Sequence, residues 1–460
     1  MTGRPPRMDA LLALPAAAKL REAFGAPAAK EALRTALDEA RGRWKAGGEV
    51  PRPDAVTERA RAVLGASFAP PLRRVVNATG VVLHTNLGRA PLSHRSLALA
   101  TDLLTGYVDL EVDLDARTRG HRDARLEMMV RGWLGTDRAL IVVNNNASAV
   151  LLMLNTLSRG RETLVSRGEL VEIGGGFRVP EVMAASGARL REVGTTNRTR
   201  LSDYRRACGP ESGLLLKVHP SNYKIVGFTQ EVPLSDLVAL GRDLGLPVGY
   251  DWGTGLATDP TAVGLPGEET LTRALAADPD VLTFSTDKLF GACQGGLLLV
   301  RPELGEAFRS NPLLRALRVD KIRYALLGAT LDAYRRGRWS ELPALAALAE
   351  PEKSLRMKAL GLKRRIERAL PGRFSIQVVR SEGLAGGGSA PTTPLASPAL
   401  ALVPVSDRVE RFEEFLRCGG EPPILGVLSD NRLLLHARTM LPGDAAAVVR
   451  RLAGYSGEPS

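Results

Sequence analysis

The chain has 460 residues, of which 44% are apolar and 24% charged, and a formal net charge of +12. This length exceeds one ordinary hydrophobic core, so we expect two or three domains. The three cysteines form no CxxC pair, which argues against a disulfide framework and a metal site and suits a reducing cytoplasm. We find no signal peptide and no run of about 18 apolar residues, so we expect no membrane partner.

The excess of basic residues suits a polyanionic partner such as nucleic acid, although a solvated basic surface is the commoner cause. Residues 1–68 form a predicted helical domain, in which Ala28 to Trp44 carries Leu33 and Leu37 on one apolar helical stripe. Glycine and proline pairs after this stretch mark linkers. The domain has no chemical motif and no helix-turn-helix pattern, so we expect no DNA partner.

Two polar segments follow the linker. The first comes after a short predicted strand, Val81–Leu83, and is a loop that contains His84 and Arg89. Such loops often carry binding residues, and Arg89 suits an anion as well as it suits a structural ion pair. The second is a basic cluster that includes Arg122, before a helix predicted at 124–134. Because basic groups oppose the dipole at a helix start, the cluster indicates either a bound anion or an interface.

The next element is a strand predicted at Ala139–Val143, followed by a polar turn and a helix. The turn supplies Asn146, Ala147 and Ser148, where free backbone amides and the helix dipole favour a phosphate group. An Asn/Ser helix cap without a ligand explains the same residues.

A second strand, Leu246–Tyr250, brings Asp251 to its carboxyl end, where open α/β sheets place their ligands. Lys288 follows the next predicted strand along the chain and lies between two apolar runs, Val281–Phe284 and Leu297–Val300. A buried lysine loses its proton readily, and a neutral amine forms a Schiff base with a carbonyl such as that of pyridoxal phosphate. An acid near the ring nitrogen makes that cofactor an electron sink.

Each of these features alone has an ordinary structural explanation, but their order along the chain is more specific. A strand with a helix cap, a strand with Asp251 and a strand with Lys288 predict an α/β enzyme that uses pyridoxal 5′-phosphate. The predicted fold is that of the aspartate-aminotransferase-like transferases, fold type I. Residues 69–335 would form the large cofactor-binding domain, and residues 336–460 a smaller C-terminal α/β domain.

Beyond this core, Arg315 and Arg318 are predicted on one face of a helix, three residues apart, which makes a suitable clamp for a phosphate-like anion. In the C-terminal domain we expect a helix at 353–370, strands at 374–379, 400–405 and 432–436, and a glycine- and proline-rich loop at 386–398. Arg438, just after the last strand, is a further candidate for the site.

Several motifs resemble those of bacterial selenocysteine synthase, the L-seryl-tRNA(Sec) selenium transferase family. They are Asn77-Ala-Thr-Gly-Val-Val-Leu-His-Thr-Asn-Leu-Gly-Arg89, Asn144-Asn-Asn-Ala147, Lys217-Val-His-Pro-Ser-Asn-Tyr223, Val226-Gly-Phe-Thr229 and Ser285-Thr-Asp-Lys288. The resemblance covers nearly the whole chain. This chain has Thr286 and Ala292-Cys293 where the family pattern has Gly and Gly-Pro, and these changes leave the lysine and the aspartate in place.

The resemblance implies a pyridoxal phosphate enzyme that converts seryl-tRNA(Sec) to selenocysteinyl-tRNA(Sec) with selenophosphate, through a dehydroalanyl intermediate. It also implies a cytoplasmic homo-oligomer, for which we expect a homodecamer built from dimers, and an N-terminal domain that binds the tRNA. In the family the counterparts of Arg315 and Arg318 bind the selenium donor across a subunit interface.

The predicted site residues fall into three groups. The catalytic residues are Lys288, Asp251 and Arg89. The cofactor-binding residues are Lys288, Asp251, Asn146, Ala147, Ser148, His219 and Ser285. The residues for selenophosphate or the seryl group are Arg89, Arg122, Arg315, Arg318, Asp287 and His84.

Two alternatives share parts of this pattern. An ammonia-lyase acting on a small amino-sugar acid would share the pyridoxal core but has no need of a basic N-terminal domain. A non-catalytic tRNA-binding protein would not need Lys288 and Asp251 together.

Overall fold

A computed structural model describes residues 5–173, 176–220 and 222–456, and the chain divides into two compact units, Met1–Arg74 and Val75–Ser460. The three-domain division at residues 68 and 335 stays a prediction, and its outermost residues lie outside the described ones. Among the described residues, no helix combines the length and the apolar composition needed to cross a membrane.

The first unit is helical. Its helices are α1 (Met8–Leu12), α2 (Pro15–Phe24), α3 (Ala26–Lys45) and α4 (Pro53–Ser67). Proline near the start of α2, α3 and α4 fits a position where its missing N–H costs nothing. The apolar stripe of α3 is confirmed at Leu33 and Leu37, which are buried against Leu11 and Leu64 of the same core cluster, whereas Trp44 is only half-buried.

The second unit mixes strands and helices. Its strands are β1 (Val76–Asn77), β2 (Val81–Leu83), β3 (Val112–Asp113), β4 (Thr118–Arg119), β5 (Ala139–Val143), β6 (Glu162–Ser166), β7 (Glu172–Ile173), β8 (Phe177–Arg178), β9 (Arg189–Val193), β10 (Ser212–Val218), β11 (Val248–Gly253), β12 (Val281–Ser285), β13 (Gly296–Val300), β14 (Phe374–Val379), β15 (Glu382–Gly386), β16 (Leu395–Ala396), β17 (Ala399–Pro404), β18 (Ile424–Leu425), β19 (Val427–Ser429) and β20 (Arg432–His436).

Its helices are α5 (His94–Leu104), α6 (Ala124–Leu134), α7 (Asn146–Ser158), α8 (Val179–Ser186), α9 (Leu201–Ala207), α10 (Leu234–Leu244), α11 (Leu271–Ala276), α12 (Gly305–Ser310), α13 (Pro312–Leu317), α14 (Lys321–Arg335), α15 (Pro343–Ala349), α16 (Glu352–Ala369), α17 (Val409–Cys418) and α18 (Asp444–Ala453). Short 3₁₀ turns lie at Thr85–Leu87, Arg167–Glu169, Pro302–Leu304, Trp339–Glu341 and Ala437–Thr439.

The main sheet has seven strands in the order β5-β13-β12-β11-β10-β6-β9. Neighbouring strands are parallel except β13, which runs antiparallel to β12 and to β5. Both faces of the sheet are covered, which explains why these strands read as continuous apolar runs. In β5, for example, Leu140 and Val142 pack into one core, and Ile141 and Val143 pack into the other.

The strand directions decide where the site lies. Because β5, β10, β11 and β12 point the same way, their carboxyl ends meet at one edge of the sheet. The register places Ser285, Gly296 and Val143 side by side at that edge. Open α/β sheets bind their ligands there.

The C-terminal part builds a four-stranded sheet in the order β14-β17-β20-β19, and α16, α17 and α18 pack against its core. The predicted strands 374–379 and 432–436 are confirmed, and the third lies at Ala399–Pro404. The loop predicted at 386–398 is wrong in part, because the chain there pairs as β15 and β16, and β15 also pairs with β2. A local turn signal from glycine and proline does not show such long-range pairing.

Candidate active site

Lys288 lies in the turn that follows β12 and is 5% exposed. Burial lowers the pKa of its amine, and the nearby Arg89 adds to this shift, while Asp251 opposes it. Its Nζ has no hydrogen-bond partner among the residues that the structure describes. The prediction that Lys288 is buried is therefore confirmed, and burial acts in the direction that weakens its hold on a proton.

The Lys288 turn is closed by hydrogen bonds that involve the residues departing from the family pattern. The Thr286 hydroxyl donates to the carbonyl oxygen of Cys293 at 2.6 Å, and the amide of Ala292 donates to the carbonyl of Thr286 at 2.8 Å. The amide of Thr286 in turn donates to the carbonyl of Gly295 at 3.0 Å. The threonine and the cysteine thus bind each other across the turn and stiffen it.

Asp251 lies on β11, next to the strand that precedes Lys288. The predicted strand ended before this aspartate, but β11 continues to Gly253 through a bulge after Asp251. Its Oδ1 accepts hydrogen bonds from Asn146 Nδ2 at 2.8 Å and from Thr283 Oγ1 at 3.4 Å. A Cβ placed on Gly253 would lie 3.9 Å from both Asp251 Oδ1 and Lys288 Nζ, so the two groups border the same space.

The charge state of Asp251 depends on what fills that space. Burial raises the pKa of its carboxyl, against the hydrogen bond from Asn146 and the charge of Lys288. Within the described part of the chain, no cation lies at ion-pair distance from Asp251. A buried carboxylate of this kind is costly unless a positive group accompanies it.

His219 follows β10, the next strand of the sheet. Its backbone amide donates to the carbonyl of Asp251 at 2.9 Å. Its Nδ1 is buried and has no partner among the described residues. Burial lowers the pKa of the imidazole to about 4, and Lys217 and Lys288 contribute, so the ring is neutral at physiological pH.

The predicted phosphate-binding turn lies at the start of α7. Several of its side chains already form hydrogen bonds within the protein. Asn145 caps the helix by accepting from the amide of Ser148 at 2.8 Å, and the Ser148 hydroxyl donates to Asn144 Oδ1 at 2.6 Å. Asn146 reaches Asp251 instead of capping. Among the described residues, the structure gives no hydrogen-bond acceptor for the backbone amides of Asn146 and Ala147, which lie in the first turn of α7.

Glycine is required where β13 begins beside this helix. A Cβ on Gly296 would lie 2.2 Å from the carbonyl oxygen of Asn145, so any other residue would push α7 away from the sheet. Ser285, the last residue of β12, pairs in register with Gly296 and is 6% exposed. The helix start and the lysine turn are thereby held against each other.

Arg89 joins the site through Asp287, the neighbour of Lys288. Its Nη1 donates to Asp287 Oδ2 at 2.7 Å, and the carbonyl of Asp287 accepts from the amide of Ala90 at 3.2 Å. Arg89 has a φ of 60°, which a non-glycine residue adopts at a cost of about 1 kcal/mol or more. His84, at the start of the same loop, has a buried Nδ1 without a partner in the described residues.

Two of the remaining arginines, Arg122 and Arg318, lie beside an acid that sequence reasoning missed. Glu111 accepts a hydrogen bond from Arg122 Nε, and Arg318 Nη1 lies 3.8 Å from the same carboxylate. Arg122 Nη1 also donates to the carbonyl of Val319 at 3.0 Å. The structure brings Arg122 and Arg318 together, whereas Arg315 is exposed and makes no ion pair within the described residues.

The prediction that Arg315 and Arg318 share one helical face is wrong. Helix α13 ends at Leu317, and Arg318 is its C-cap with extended backbone angles, φ −64° and ψ 150°. Arg318 bridges to Val143 at the end of β5, and the amide of Asn144 donates to the carbonyl of Leu317 at 3.0 Å. The spacing of three residues was read as continuous helix, but this pairing with the sheet ends the helix before the second arginine.

Two other outcomes differ from the sequence analysis. Arg438 is 5% exposed, and its guanidinium donates to the backbone carbonyls of Ala347, Leu348 and Ala396, so it is committed to the C-terminal part and is not a free group of the site. Thr283 was missed, although its position on the strand next to Asp251 follows from register once the two strands are paired.

The unpaired groups at this edge fit pyridoxal phosphate. Lys288 offers an amine, the buried Asp251 lacks a cation, and His219 presents a buried polar atom without a partner. The start of α7 leaves backbone amides for a phosphate. The described residues contain no group of three or more His, Cys, Asp or Glu placed to hold a metal ion.

The fold and this lysine site define an α/β transferase of fold type I, as the sequence predicts. The solved structure of D-glucosaminate-6-phosphate ammonia-lyase has this fold, with a TM-score of 0.57 at 18% identity, over 83% of this chain and 95% of that one. Within that class, the family model for L-seryl-tRNA selenium transferase matches residues 75–441, and that for the N-terminal region of selenocysteine synthase matches residues 6–41.

The chain belongs to the L-seryl-tRNA selenium transferase family. The L-seryl-tRNA(Sec) selenium transferase of Moorella thermoacetica is 48% identical over 383 residues, 83% of this chain and 81% of the relative. The protein of the same name from Geobacter sulfurreducens is 43% identical over 454 residues, 98% of both chains. The resemblance inferred from the motifs is therefore confirmed, and it includes the N-terminal unit.

Proposed function

We propose that this protein is an L-seryl-tRNA(Sec) selenium transferase that uses pyridoxal 5′-phosphate to convert seryl-tRNA(Sec) to selenocysteinyl-tRNA(Sec). The observation that carries the proposal is the convergence of Lys288, Asp251 and His219 on the ends of three adjacent strands, in a member of this family. The ammonia-lyase structure shares the fold over 83% of this chain, whereas the selenocysteine synthase family models match both residues 6–41 and residues 75–441.

In this proposal Lys288 would hold the cofactor covalently, Asp251 would pair with its ring nitrogen, and His219 and Ser285 would line its pocket. The amides of Asn146 and Ala147, with the cap residue Ser148, form the phosphate end at the dipole of α7. When bound, the cofactor withdraws electrons from the Cα of the attached amino acid, which makes the Cα proton acidic. Asn146 and Thr283 orient the Asp251 carboxylate for this pairing.

Lys288 is also the proposed general base. The Lys288 Nζ would accept the Cα proton of serine, and burial, which lowers the pKa of this amine, favours the neutral form that a base needs. His219 stays neutral and adds no positive charge beside the lysine. The Arg89–Asp287 pair holds the loop that borders Lys288 in place.

The proposed donor is selenophosphate, bound by Arg89, Arg122, Arg315 and Arg318 with help from His84 and Asp287. Guanidinium groups match the oxygens of a compact anion in pairs and stay charged at physiological pH. Glu111 neutralises Arg122 and Arg318, and the hydrogen bond from Arg122 lowers the pKa of its carboxyl, whereas burial opposes this shift. A more highly charged anion would compete with this carboxylate.

Removing one of these arginines tests the donor site. Arg315→Ala or Arg318→Ala should raise the donor KM or lower turnover about tenfold, given about 1.5–3 kcal/mol for a charged hydrogen bond. Affinity for seryl-tRNA should not change. Size measurement is the control, since a role at a subunit interface would dissociate the Arg315→Ala protein. A dissociated variant, or an intact one with normal donor kinetics, contradicts the assignment.

The proposed assembly is a cytoplasmic homo-oligomer, a homodecamer built from dimers. Exposed apolar side chains near Glu111 support self-association, because Tyr107, Val112 and Leu114 are each more than half exposed. The three free cysteines suit a reducing compartment. The N-terminal unit is proposed to bind the tRNA, and deleting residues 1–68 should weaken tRNA binding while the cofactor stays bound.

The decisive experiment is to incubate the purified protein with seryl-tRNA(Sec) and selenophosphate and to analyse the aminoacyl group. We expect selenocysteine on the tRNA, and none when Lys288→Ala replaces the wild type. An absorbance band of the lysine-bound cofactor, lost in the same variant, separates an enzyme from a tRNA-binding scaffold. Release of ammonia from an amino-sugar acid, with no change in seryl-tRNA, would contradict the proposal.

A further inference from the structure

One acid near the carboxyl end of β11 has no role in the site described above. Glu268 and Glu269 lie on the segment between β11 and α11, and both residues are half-buried. The hydroxyl of Tyr250 donates a hydrogen bond to Glu269 Oε2. Glu268 Oε1 is buried without a hydrogen-bond partner, and its carboxyl group forms no ion pair within the described residues. Of two neighbouring acids, one is therefore bound to the sheet and the other is uncommitted.

The segment that carries Glu268 begins beside the Lys288 turn. Thr254 directly follows β11, and its carbonyl accepts a hydrogen bond from the amide of Leu289 at 3.0 Å. The Thr254 hydroxyl is fully buried and lies near the Glu268 carboxyl, but neither Thr254 Oγ1 nor Glu268 Oε1 forms a hydrogen bond of normal geometry. Thr254 thus joins the backbone of the lysine turn to the region of the uncommitted acid.

The other acids around Lys288 are already committed. Burial and Arg89 lower the pKa of the lysine amine, and the charges of Asp251, Asp287 and Glu268 oppose this shift. Asp251 accepts two side-chain hydrogen bonds and would pair with the cofactor, and Asp287 is bound to Arg89 at 2.7 Å. Glu268 is the acid of this group that is left for chemistry.

The environment favours the protonated form of Glu268. Burial raises the pKa of its carboxyl and the charge of Glu269 adds to the shift, against the Thr254 hydroxyl and the charge of Lys288. Because burial also lowers the pKa of Lys288, both groups are favoured in their uncharged forms. A carboxylic acid that holds a proton therefore lies near an amine that can accept one, and enzymes divide acid and base roles between such pairs.

The loss of water from serine needs both roles. A base removes the Cα proton, and an acid protonates the hydroxyl, because hydroxide is a poor leaving group. We propose that Glu268 is the general acid that protonates the departing hydroxyl of the seryl group, while Lys288 accepts the Cα proton. This inference rests on the proposed function, since it divides the elimination step of that reaction between two residues.

The step balances in protons and electrons. The Cα–H and Cβ–O bonds break, the electron pair of the first forms the Cα–Cβ double bond, and that of the second leaves with the oxygen. The oxygen takes the proton of Glu268 and departs as water, and the carboxylate regains a proton from solvent before the next turnover. Until then the Lys288 ammonium and the Glu268 carboxylate stabilise each other, since each charge favours the charged form of the other.

The test compares two leaving groups in the full-length holoenzyme. Seryl-tRNA(Sec) needs a proton to lose its hydroxyl, whereas β-chloroalanyl-tRNA(Sec) loses chloride, which leaves without one. The variants are Glu268→Gln, which keeps the shape of the side chain without its acidic proton, Glu268→Asp, which keeps an acid, and Glu269→Gln as the matched control. Mass spectrometry of the aminoacyl group measures elimination in a single turnover and exchange of the Cα proton with deuterated water.

Glu268→Gln is expected to slow elimination from seryl-tRNA about 10²- to 10⁴-fold, the usual contribution of a general acid. Elimination of chloride and exchange of the Cα proton should stay close to the wild-type rates, because Lys288 is intact. Glu268→Asp should recover part of the lost rate. Glu269→Gln should retain the wild-type preference between the two substrates.

Two further measurements do not depend on turnover by a variant. In the wild type, elimination from seryl-tRNA should slow as pH rises through the pKa of Glu268, and this decline should be absent with β-chloroalanyl-tRNA. In the cofactor-free protein at neutral pH, the infrared carbonyl band of protonated carboxylic acids should be weaker in Glu268→Gln than in Glu269→Gln.

Three results overturn the assignment. Glu268→Gln eliminates water from seryl-tRNA at the wild-type rate, which leaves both roles to Lys288; or it loses elimination of chloride and Cα exchange to the same extent, which makes Glu268 a structural residue; or the wild type shows the same pH dependence with both substrates. The last comparison decides even if Glu268→Gln fails to fold. A wild-type protein that forms no selenocysteine from seryl-tRNA and selenophosphate contradicts the proposed function instead.

Discussion

Two buried lysines lie two strands apart in the main sheet, and they differ in almost every other respect. Lys217 is on β10 and is 8% exposed, while Lys288 follows β12 and is 5% exposed. Lys217 Nζ donates to Glu169 Oε1 and to the carbonyl of Val232, both at 3.0 Å. Lys288 Nζ has no such partner within the described residues.

The difference shows that burial alone does not make a lysine reactive. Desolvation acts on both amines to lower the pKa, but the charges of Glu169 and Glu231 outweigh it and raise the pKa of Lys217. At Lys288 burial prevails, helped by Arg89. A carboxylate in hydrogen-bond contact keeps a buried lysine charged and structural; a carboxylate across an open space leaves it available for chemistry.

The largest expected effect separates the two lysines by activity. Lys288→Ala should lower the rate of selenocysteinyl-tRNA formation by at least about 10²- to 10⁴-fold, because it removes the general base. Binding of seryl-tRNA should stay at the wild-type level. Lys217→Met should retain most of the turnover per folded molecule. Single-turnover assays and tRNA titration measure both, and equal losses of rate in the two variants would break the distinction.

The second effect separates them by stability, in the cofactor-free protein. Lys217→Met should lower the free energy of unfolding by about 3–5 kcal/mol, because it leaves the carboxylate of Glu169 buried without a cation. Lys288→Met should cause no such loss, since it removes an amine that has no close partner. Urea unfolding followed by tryptophan fluorescence makes the comparison. A double variant, Lys217→Met with Glu169→Leu, should regain much of the stability; failure to do so would place the loss in packing.

The sequence predicted the Lys288 site better than the Lys217 pair for a physical reason. A strand, a polar turn and a glycine-rich stretch are local signals, so the strands beside Lys288 could be placed within one residue, whereas α7 begins at Asn146, inside the predicted turn. Glu169 lies 48 positions before Lys217 in the sequence. Only the pairing of β6 with β10 brings them together, and no local pattern reports it.

The same limit explains the arginine cluster. Arg122 and Arg318 were each recognised as anion-binding candidates, but the acid that joins them, Glu111, was not among the predicted site residues. Their contact depends on a tertiary approach of segments about 200 residues apart. The residue types therefore identified the two arginines as candidates, but only the folded structure shows that they share a contact with Glu111.

The smallest expected effect is a difference between Lys288 and Lys217 in the pH at which each amine reacts. This difference tests directly whether burial and neighbouring charges set the pKa of the two lysines. In the cofactor-free protein, a brief pulse of an acylating reagent should modify Lys288 at a pH below the ordinary lysine value of 10.5, and Lys217 only above it. The modified peptides are quantified by mass spectrometry. Because folded Lys288 binds its proton less tightly than the unfolded chain does, its contribution to stability should rise with pH up to 10.5. The contribution of Lys217 should be complete below 10.5 and be lost above it.

Arg89→Ala is the variant that refines this result. It removes a positive charge near Lys288 and frees the carboxylate of Asp287, and both changes favour the charged amine. The pH at which Lys288 becomes reactive should therefore increase, while that of Lys217 stays the same. Arg159→Ala, which removes an equal charge just before β6, three strands from β12, should shift neither. If Lys288 in the Arg89→Ala protein titrates as in the wild type, burial alone sets its reactivity, and Arg89 acts only on the donor side of the site.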